Sequence, residues 1–348
     1  IKSLFKRNNL NFMSKDTWLN FSNNPLFKKN KKIELGWKFE LGNKIVGHIG
    51  YYPTIYRYNK KKLIFSILHG WAVDEKYRSA SIILLKKYLN QKKKDLFLGT
   101  TFNRHTGQIM KSLGVKQVPI KGLDKSSIII LNAKNFLEMY FQKKNFLLKK
   151  FFISTISLAI KIFLWRNINR WKNYKVSHSI KRVKNFDKKF KYFWNNYLKE
   201  NGQSLQVDRD INWQNWLMKK KLTNNQIITF VFILKNKIVG YSACLMEKKG
   251  KYKICKLLDL ITLKNSKDYE FDLVLKNLEK AQETNCDYFE YRNTSASKLK
   301  ILESFSAIQI KLKQNNFYYK ANNNKLNKIF ETNKNWNPCS LDGDILIR

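Results

Sequence analysis

Apolar and polar residues alternate on both sides of Gly42-Asn43 in GWKFELGNKIVGHIGYYP, the mark of a β-hairpin. The stretch IITFVFILKNKIVGYSACLM repeats that pattern around Lys235-Asn236. Both hairpins contain NKIVG, at Asn43–Gly47 and Asn236–Gly240. After the first, the pattern predicts a strand in KKLIFSILHGWAV, a helix in SASIILLKKYLNQ and a strand in DLFLGTTFN. A second helix in RHTGQIMKSLG and strands in VKQVPI and SSIIILN complete the run. After the second hairpin the order recurs in KYKICKLLDLITL, YEFDLVLKNLEKAQE, CDYFEYRN, SASKLKILESF, AIQIKL and NFYYKA. The landmarks keep their spacing: Asn103 follows Asn43 by 60 residues and Asn293 follows Asn236 by 57. The chain therefore reads as two copies of one β-hairpin–β–α–β–α–β unit.

Between the copies the pattern changes. Phe151–Ile160 holds ten residues without a charge before Lys161 interrupts. Spanning a bilayer takes about 20 apolar residues, so this run is too short. It predicts either a connecting helix buried between domains or an interfacial helix with Trp165 and Trp171 at headgroup level. The expected domains are 1–135, a helical connector 136–180, a second domain 181–335 and a tail 336–348.

The 348 residues suit two domains, and 43% hydrophobic content supplies their cores. A formal charge of +43 points toward polyanions. Only 10 of the 68 basic residues are Arg, however, and the lysines are spread along the whole chain with abundant Asn and Ile. Sequence readers of nucleic acid rely on Arg for bidentate contacts. The charge is therefore read as a solvated surface, with an anionic membrane face or anionic substrate as the other partners it fits. Cys244, Cys255, Cys286 and Cys339 form no CxxC, so no metal is expected and a reduced, cytoplasmic chain is. The chain starts at Ile1 with no signal peptide, and its natural start is expected upstream.

The segment WAVDEKYRSASIILLKKYL runs a strand into a tight turn carrying Arg78, where a helix opens. Free N–H groups and the dipole at a helix start favour a pyrophosphate. This segment and the order of elements resemble the GNAT acyltransferase superfamily, whose V-x-x-x-x-R-x-x-G-x-G/A motif holds acyl-CoA. Val73 and Arg78 keep their places, while Ser81 and Ile83 stand where glycines belong. NRHTGQIMKSLGV resembles the family's second helix region. There Asn103 reads as a cap and Gly114 as the closing residue, with Met110 at the place of a frequent catalytic Tyr. Leu302 and Ser306 stand at the Tyr and Gly places of the second copy, which keeps neither the Arg nor the glycines of the loop.

The resemblance implies an α/β fold of two tandem GNAT-like domains with mixed, mostly antiparallel sheets. It implies acyl transfer from acyl-CoA, acetyl-CoA first, to an amine. Arg78, Ser79, Ala80, Ser81 and Ile82 would hold pyrophosphate, Trp71, Ala72 and Val73 would pair with pantetheine, and Asn103 would border the cofactor. From Leu41 to Val73 there is no Asp or Glu, so His48 and His69 are the groups there expected to titrate near neutrality. His69, beside the loop, is the expected base. Asp74 reads as a turn former, Tyr51, Tyr52 and Tyr56 as core or cleft lining, and Asp342 and Asp344 as a solvated turn or a metal or substrate contact. With GW near Gly36, the TTFN strand end and the terminal WNPCSLDGD, the whole is similar to bacterial tandem GNAT-like proteins associated with surface-polysaccharide synthesis, which implies an amino-sugar acceptor; the apolar connector and the positive charge fit a cytoplasmic place peripheral to the inner membrane. Two alternatives remain: a Fem-type transferase fed by aminoacyl-tRNA, and a non-catalytic module on the same fold.

Overall fold

The computed structural model describes residues 1–10, 15–26, 34–92, 94–141, 151, 153–162, 174, 179–312, 316–343 and 346. Trp165, Trp171 and Asp344 lie outside the described residues. Two compact units divide the chain. Unit 1 gathers Ile1–Asp124, Asn201–Leu217 and Lys313–Arg348, and unit 2 gathers Lys125–Glu200 and Met218–Leu312.

The chain begins with α1 (Lys2–Arg7), α2 (Lys15–Ser22), β1 (Gly36–Leu41), β2 (Lys44–Tyr58) and β3 (Lys61–Val73). It continues through α3 (Ser81–Leu89), β4 (Leu96–Phe102), α4 (Arg104–Ser112), β5 (Lys116–Gln117), β6 (Lys125–Ile130) and α5 (Ala133–Tyr140). Phe151 and residues 153–162 are helical and form α6. Then come β7 (Ile180–Val183), α7 (Lys188–Asn201), β8 (Gln206–Val207), α8 (Ile211–Thr223), β9 (Ile227–Leu234), β10 (Lys237–Lys249) and β11 (Tyr252–Thr262). The chain ends with α9 (Tyr269–Glu283), β12 (Tyr288–Arg292), α10 (Ala296–Ser304), β13 (Ile308–Lys311), β14 (Asn316–Ala321) and α11 (Asn324–Phe330).

Among the described residues unit 1 holds a sheet ordered β1-β2-β3-β4-β14-β5, with β8 also on β2. Unit 2 holds one ordered β7-β9-β10-β11-β12-β6-β13. In each, one neighbouring pair is parallel, β3 with β4 and β11 with β12, and the rest are antiparallel. The two NKIVG segments open equivalent strands, β2 and β10. Lys235 and Asn236 both take positive φ, as a two-residue type I′ hairpin turn requires, and so do Asn59 and Lys60 between β2 and β3. Strand β2 tolerates Pro53 because that residue falls between the reach of β1, which ends opposite Gly50, and of β8, which starts opposite Tyr56. Its carbonyl accepts from Asn24 Nδ2 at 3.1 Å.

One feature differs from the pattern expected of two self-contained copies. The place beside β4 is filled by β14, and the matching place beside β12 is filled by β6. The copies exchange one strand each. Local patterning marks both segments as strands but does not name a partner. Two slots of common design accept either apolar strand.

The unit 1 core lies between the sheet and α3 and α4, with Ile49, Tyr51, Leu68, Leu85, Tyr88 and Met110 buried together. The unit 2 core sets Leu273 and Leu278 of α9 against Phe230, Cys244, Cys255 and Phe289. All four cysteines are buried and none is in a disulfide.

Candidate functional site

In unit 1 the β3–β4 ladder pairs Phe65 with Leu96, Ser66 with Phe97 and Ile67 with Leu98, and stops there. Strand β3 nevertheless continues to Val73 and β4 to Phe102. The two parallel strands therefore part, and among the described residues the β3 edge from Leu68 to Val73 has no ladder partner on that side. A bulge accompanies the opening: Ile49 of β2 faces both Gly70 and Trp71. Gly70 takes φ +59 there, a conformation that favours glycine. Trp71 Nε1 is a buried donor with no hydrogen-bond partner among the described residues.

Beyond Val73 the chain does not form an open, glycine-lined cradle. Glu75–Ala80 winds as a 3-10 turn that runs into α3. The Tyr77 N–H donates to Asp74 O, and the Ser81 N–H to Arg78 O. Positive φ occurs nowhere from Trp71 to Ile83. With Ser81 and Ile83 in place of glycines, the loop satisfies part of its own backbone. Arg78 is exposed and among the described residues meets only exposed Glu75, at 3.4 Å, leaving its guanidinium open to an anion. Ser79 and Ile82 are also exposed, and Ala80 and Ser81 are half-buried. Asp74 starts the turn, but its carboxylate accepts from Arg7 Nη2 at 2.7 Å and from Asn8 Nδ2 at 3.0 Å. The Arg7 hydrogen bond holds its pKa below the usual carboxylate value. A shallow groove farther along α3 is lined by Glu34, Trp37, Ile83, Lys86, Lys87 and Asn90.

His69 does not titrate near neutrality, which corrects the expectation from its residue type, and His48 is shifted in the same direction. His69 is buried, stacked on Phe21 at 5.3 Å and tilted against Tyr52 at 6.1 Å. Burial first, and His48 second, push its pKa down to about 3. His48 is buried as well; its Nδ1–H donates to Gly70 O at 2.7 Å, and burial lowers its pKa. Phe5 of α1 lies edge-on to the His48 ring. Asn103 caps α4, its Oδ1 accepting from the Thr106 N–H at 2.8 Å, and Gly114 follows that helix at φ +77.

The largest departure from the sequence reading is the tail. Asp342 is not solvated; it is buried beneath the same face of the sheet as Tyr52 and Tyr56. Its Oδ1 accepts from Tyr56 OH at 2.6 Å and its Oδ2 from the Cys339 N–H at 2.8 Å. Tyr52 OH donates to Gly343 O at 2.6 Å. Gly343 takes φ +90, and a Cβ there would fall 1.8 Å from Thr100 Oγ1 on the open end of β4. Fully buried Arg209 donates to Val207 O at 3.0 Å and approaches Cys339 Sγ at 3.6 Å. The tail thus brings a buried carboxylate to within a few residues of the parted strands. A DGD sequence reads as a surface turn, and the only hint against it was the neighbouring Trp336 and Leu341, both buried.

Among the described residues no three His, Cys, Asp or Glu are grouped to hold a metal ion. No described helix is long and apolar enough to cross a membrane.

No protein-family model matches the chain, and neither does any curated protein sequence. Solved structures do. The chain is similar to a Saccharomyces cerevisiae N-myristoyltransferase with bound myristoyl-CoA, at TM-score 0.50 and 13% identity, over 82% of this chain and 66% of that one. It is also similar to a GCN5-related N-acetyltransferase from Anabaena variabilis, at TM-score 0.49 and 13% identity, over 89% and 72% of the two chains. A probable N-acyltransferase from Enterococcus faecalis gives TM-score 0.49 and 12% identity, over 89% and 71%. At this identity the yeast likeness shows the fold, two GNAT-type α/β units in tandem.

Proposed function

We propose that unit 1 binds an acyl-CoA and transfers its acyl group to an amine. One observation carries the reading: the β3–β4 ladder opens into a helix whose first turn holds no carboxylate. The unpaired edge at Trp71, Ala72 and Val73 offers backbone groups to the amides of a pantetheine arm, and Trp71 Nε1–H is a spare donor in the same segment. Arg78 supplies the charge for pyrophosphate, with Ser79, Ala80, Ser81 and Ile82 contributing N–H groups as the 3-10 turn loosens. Asn103 closes the site at the start of α4. In the transfer the amine nitrogen bonds to the thioester carbon, the C–S bond breaks and CoA leaves as a thiolate, which takes up the proton that the amine loses. That proton passes first toward His69, a neutral ring at neutral pH. Its pKa of about 3 makes it a weak base until bound charge favours the imidazolium. The amino-sugar acceptor and the surface-polysaccharide context rest on the sequence resemblance alone.

The self-satisfied loop, together with Met110 buried at the Tyr place, favours a second reading in which the module binds acyl-CoA without chemistry. A melting screen with acetyl-CoA and longer acyl-CoAs, paired with thiol release in the presence of amines, separates the two. A ligand selective for the native state raises Tm. A rise with thiol release supports transfer, a rise without it supports binding alone, and no rise with any acyl-CoA refutes both.

A further inference from the structure

Helix α6 buries one face and leaves another bare. Ile160 packs on the cluster of Ile128, Ile130, Phe136 and Tyr288, and Ile153 is buried. Phe151, Leu158 and Ile162, spaced to share the opposite stripe, are 71, 61 and 59% exposed. Tyr140, at the end of α5, is 58% exposed. Scattered exposed apolar residues need no explanation, but four large ones in one short region of a chain do.

The surrounding sequence says what fits against them. From Met139 to Phe186 there is no Asp or Glu, while twelve Lys and Arg occur. An apolar stripe in a stretch of one charge sign is poorly suited to a second copy of itself, because pairing would bring like charges together. It suits a surface that is apolar below and anionic above. We infer that the α6 stripe docks on an anionic phospholipid bilayer, with Phe151, Leu158 and Ile162 entering the acyl boundary and the basic residues at the headgroups. This docking is independent of acyl transfer.

A protein of charge +43 adheres to any anionic vesicle at low salt, so the informative measurement is made where salt screens that attraction. The full chain is sedimented with vesicles of equimolar phosphatidylglycerol and phosphatidylcholine, and with phosphatidylcholine alone, at low and high salt. The parent should prefer the anionic vesicles over the neutral ones at low salt and keep measurable binding to the anionic vesicles at high salt. Leu158→Asp with Ile162→Asp, both at exposed positions, should keep the parent's circular dichroism and lower high-salt partitioning by about a hundredfold. Equal high-salt binding by parent and variant overturns the proposal. So does a parent that releases fully at high salt, and so does self-association of the parent, lost in the variant, without vesicle binding.

Discussion

Helices α3 and α9 follow equivalent strands in the two units, yet they begin in different electrostatic settings. The first turn of α9 carries Glu270 and Asp272, with Asp268 just before it. The first turn of α3 carries no acidic residue, and Arg78 precedes it. Carboxylates at a helix start stabilise the helix by meeting its dipole. The same placement repels a phosphate. One copy spends its helix start on stability and the other leaves it open to an anion.

The sheets differ less than the helix starts do. At the place of His48, unit 2 has Tyr241, packed edge-on against Phe186 and Phe190. Strand β11 also carries a bulge, between Leu257 and Asp259, and its ladder with β12 likewise stops at Leu257 while β11 runs on to Thr262; β12 ends at Arg292, one residue past its last pair. Asn293, the counterpart of Asn103, is buried and accepts from Ser127 Oγ at 2.8 Å instead of capping a helix. Duplication kept the scaffold and the parted parallel strands in both copies, and a helix start without a carboxylate in one.

The tail offers the largest way to break this contrast. Asp342→Ala removes two hydrogen bonds to a buried carboxylate and leaves Tyr56 without its acceptor. It should cost about 3 kcal/mol or more in denaturant unfolding. In unit 2, Ser242→Ala removes the hydroxyl that accepts from Asn277 Nδ2 at 2.7 Å. That loss should be smaller, about 1 kcal/mol. Equal losses would mean that the tail does not hold the unit 1 face.

Acid sharpens the contrast next. Folded His69 refuses a proton down to about pH 3, whereas an unfolded histidine accepts one near its ordinary value of 6.5. Between those limits the unfolded state binds more protons, so stability falls as pH drops. The slope is about 1.4 kcal/mol per pH unit for each such histidine. His48 acts in the same direction. His69→Phe should flatten the slope between pH 6 and 4, by about one proton, in melts recorded across that range. An unchanged slope would show that the ring is not buried as described.

The smallest effect lies in the second copy. Ser306 takes φ +59 at the position where the first copy has Gly114 at φ +77. Ser306→Gly should relieve that strain and gain about 0.5–1 kcal/mol, whereas Gly114→Ser should lose a similar amount.

Much of this architecture was legible because it is local. The hairpins, the helices and the Asn103 cap depend on residues within a few positions of each other. The duplication followed from repeating that local order. Three features were not legible, each because it joins distant segments. The β6 and β14 exchange depends on which of two similar slots a strand enters. The burial of Asp342 depends on Tyr56, 286 positions away. The neutrality of His69 depends on Phe21 and Tyr52 enclosing it. The closed 3-10 turn was half-legible: missing glycines warned of it, but only the backbone showed which N–H groups it consumes.

Calorimetric titration of acyl-CoA into the full chain tests the central claim, that one of two copies kept an anion-ready helix start. The parent should bind one equivalent. Arg78→Ala should weaken binding about ten- to a hundredfold by removing a charge-assisted contact, and Lys267→Ala, ahead of α9, should leave it unchanged. The titration is run at moderate salt, where nonspecific attraction to a basic protein fades. Two equivalents, or equal loss from both substitutions, would contradict the account.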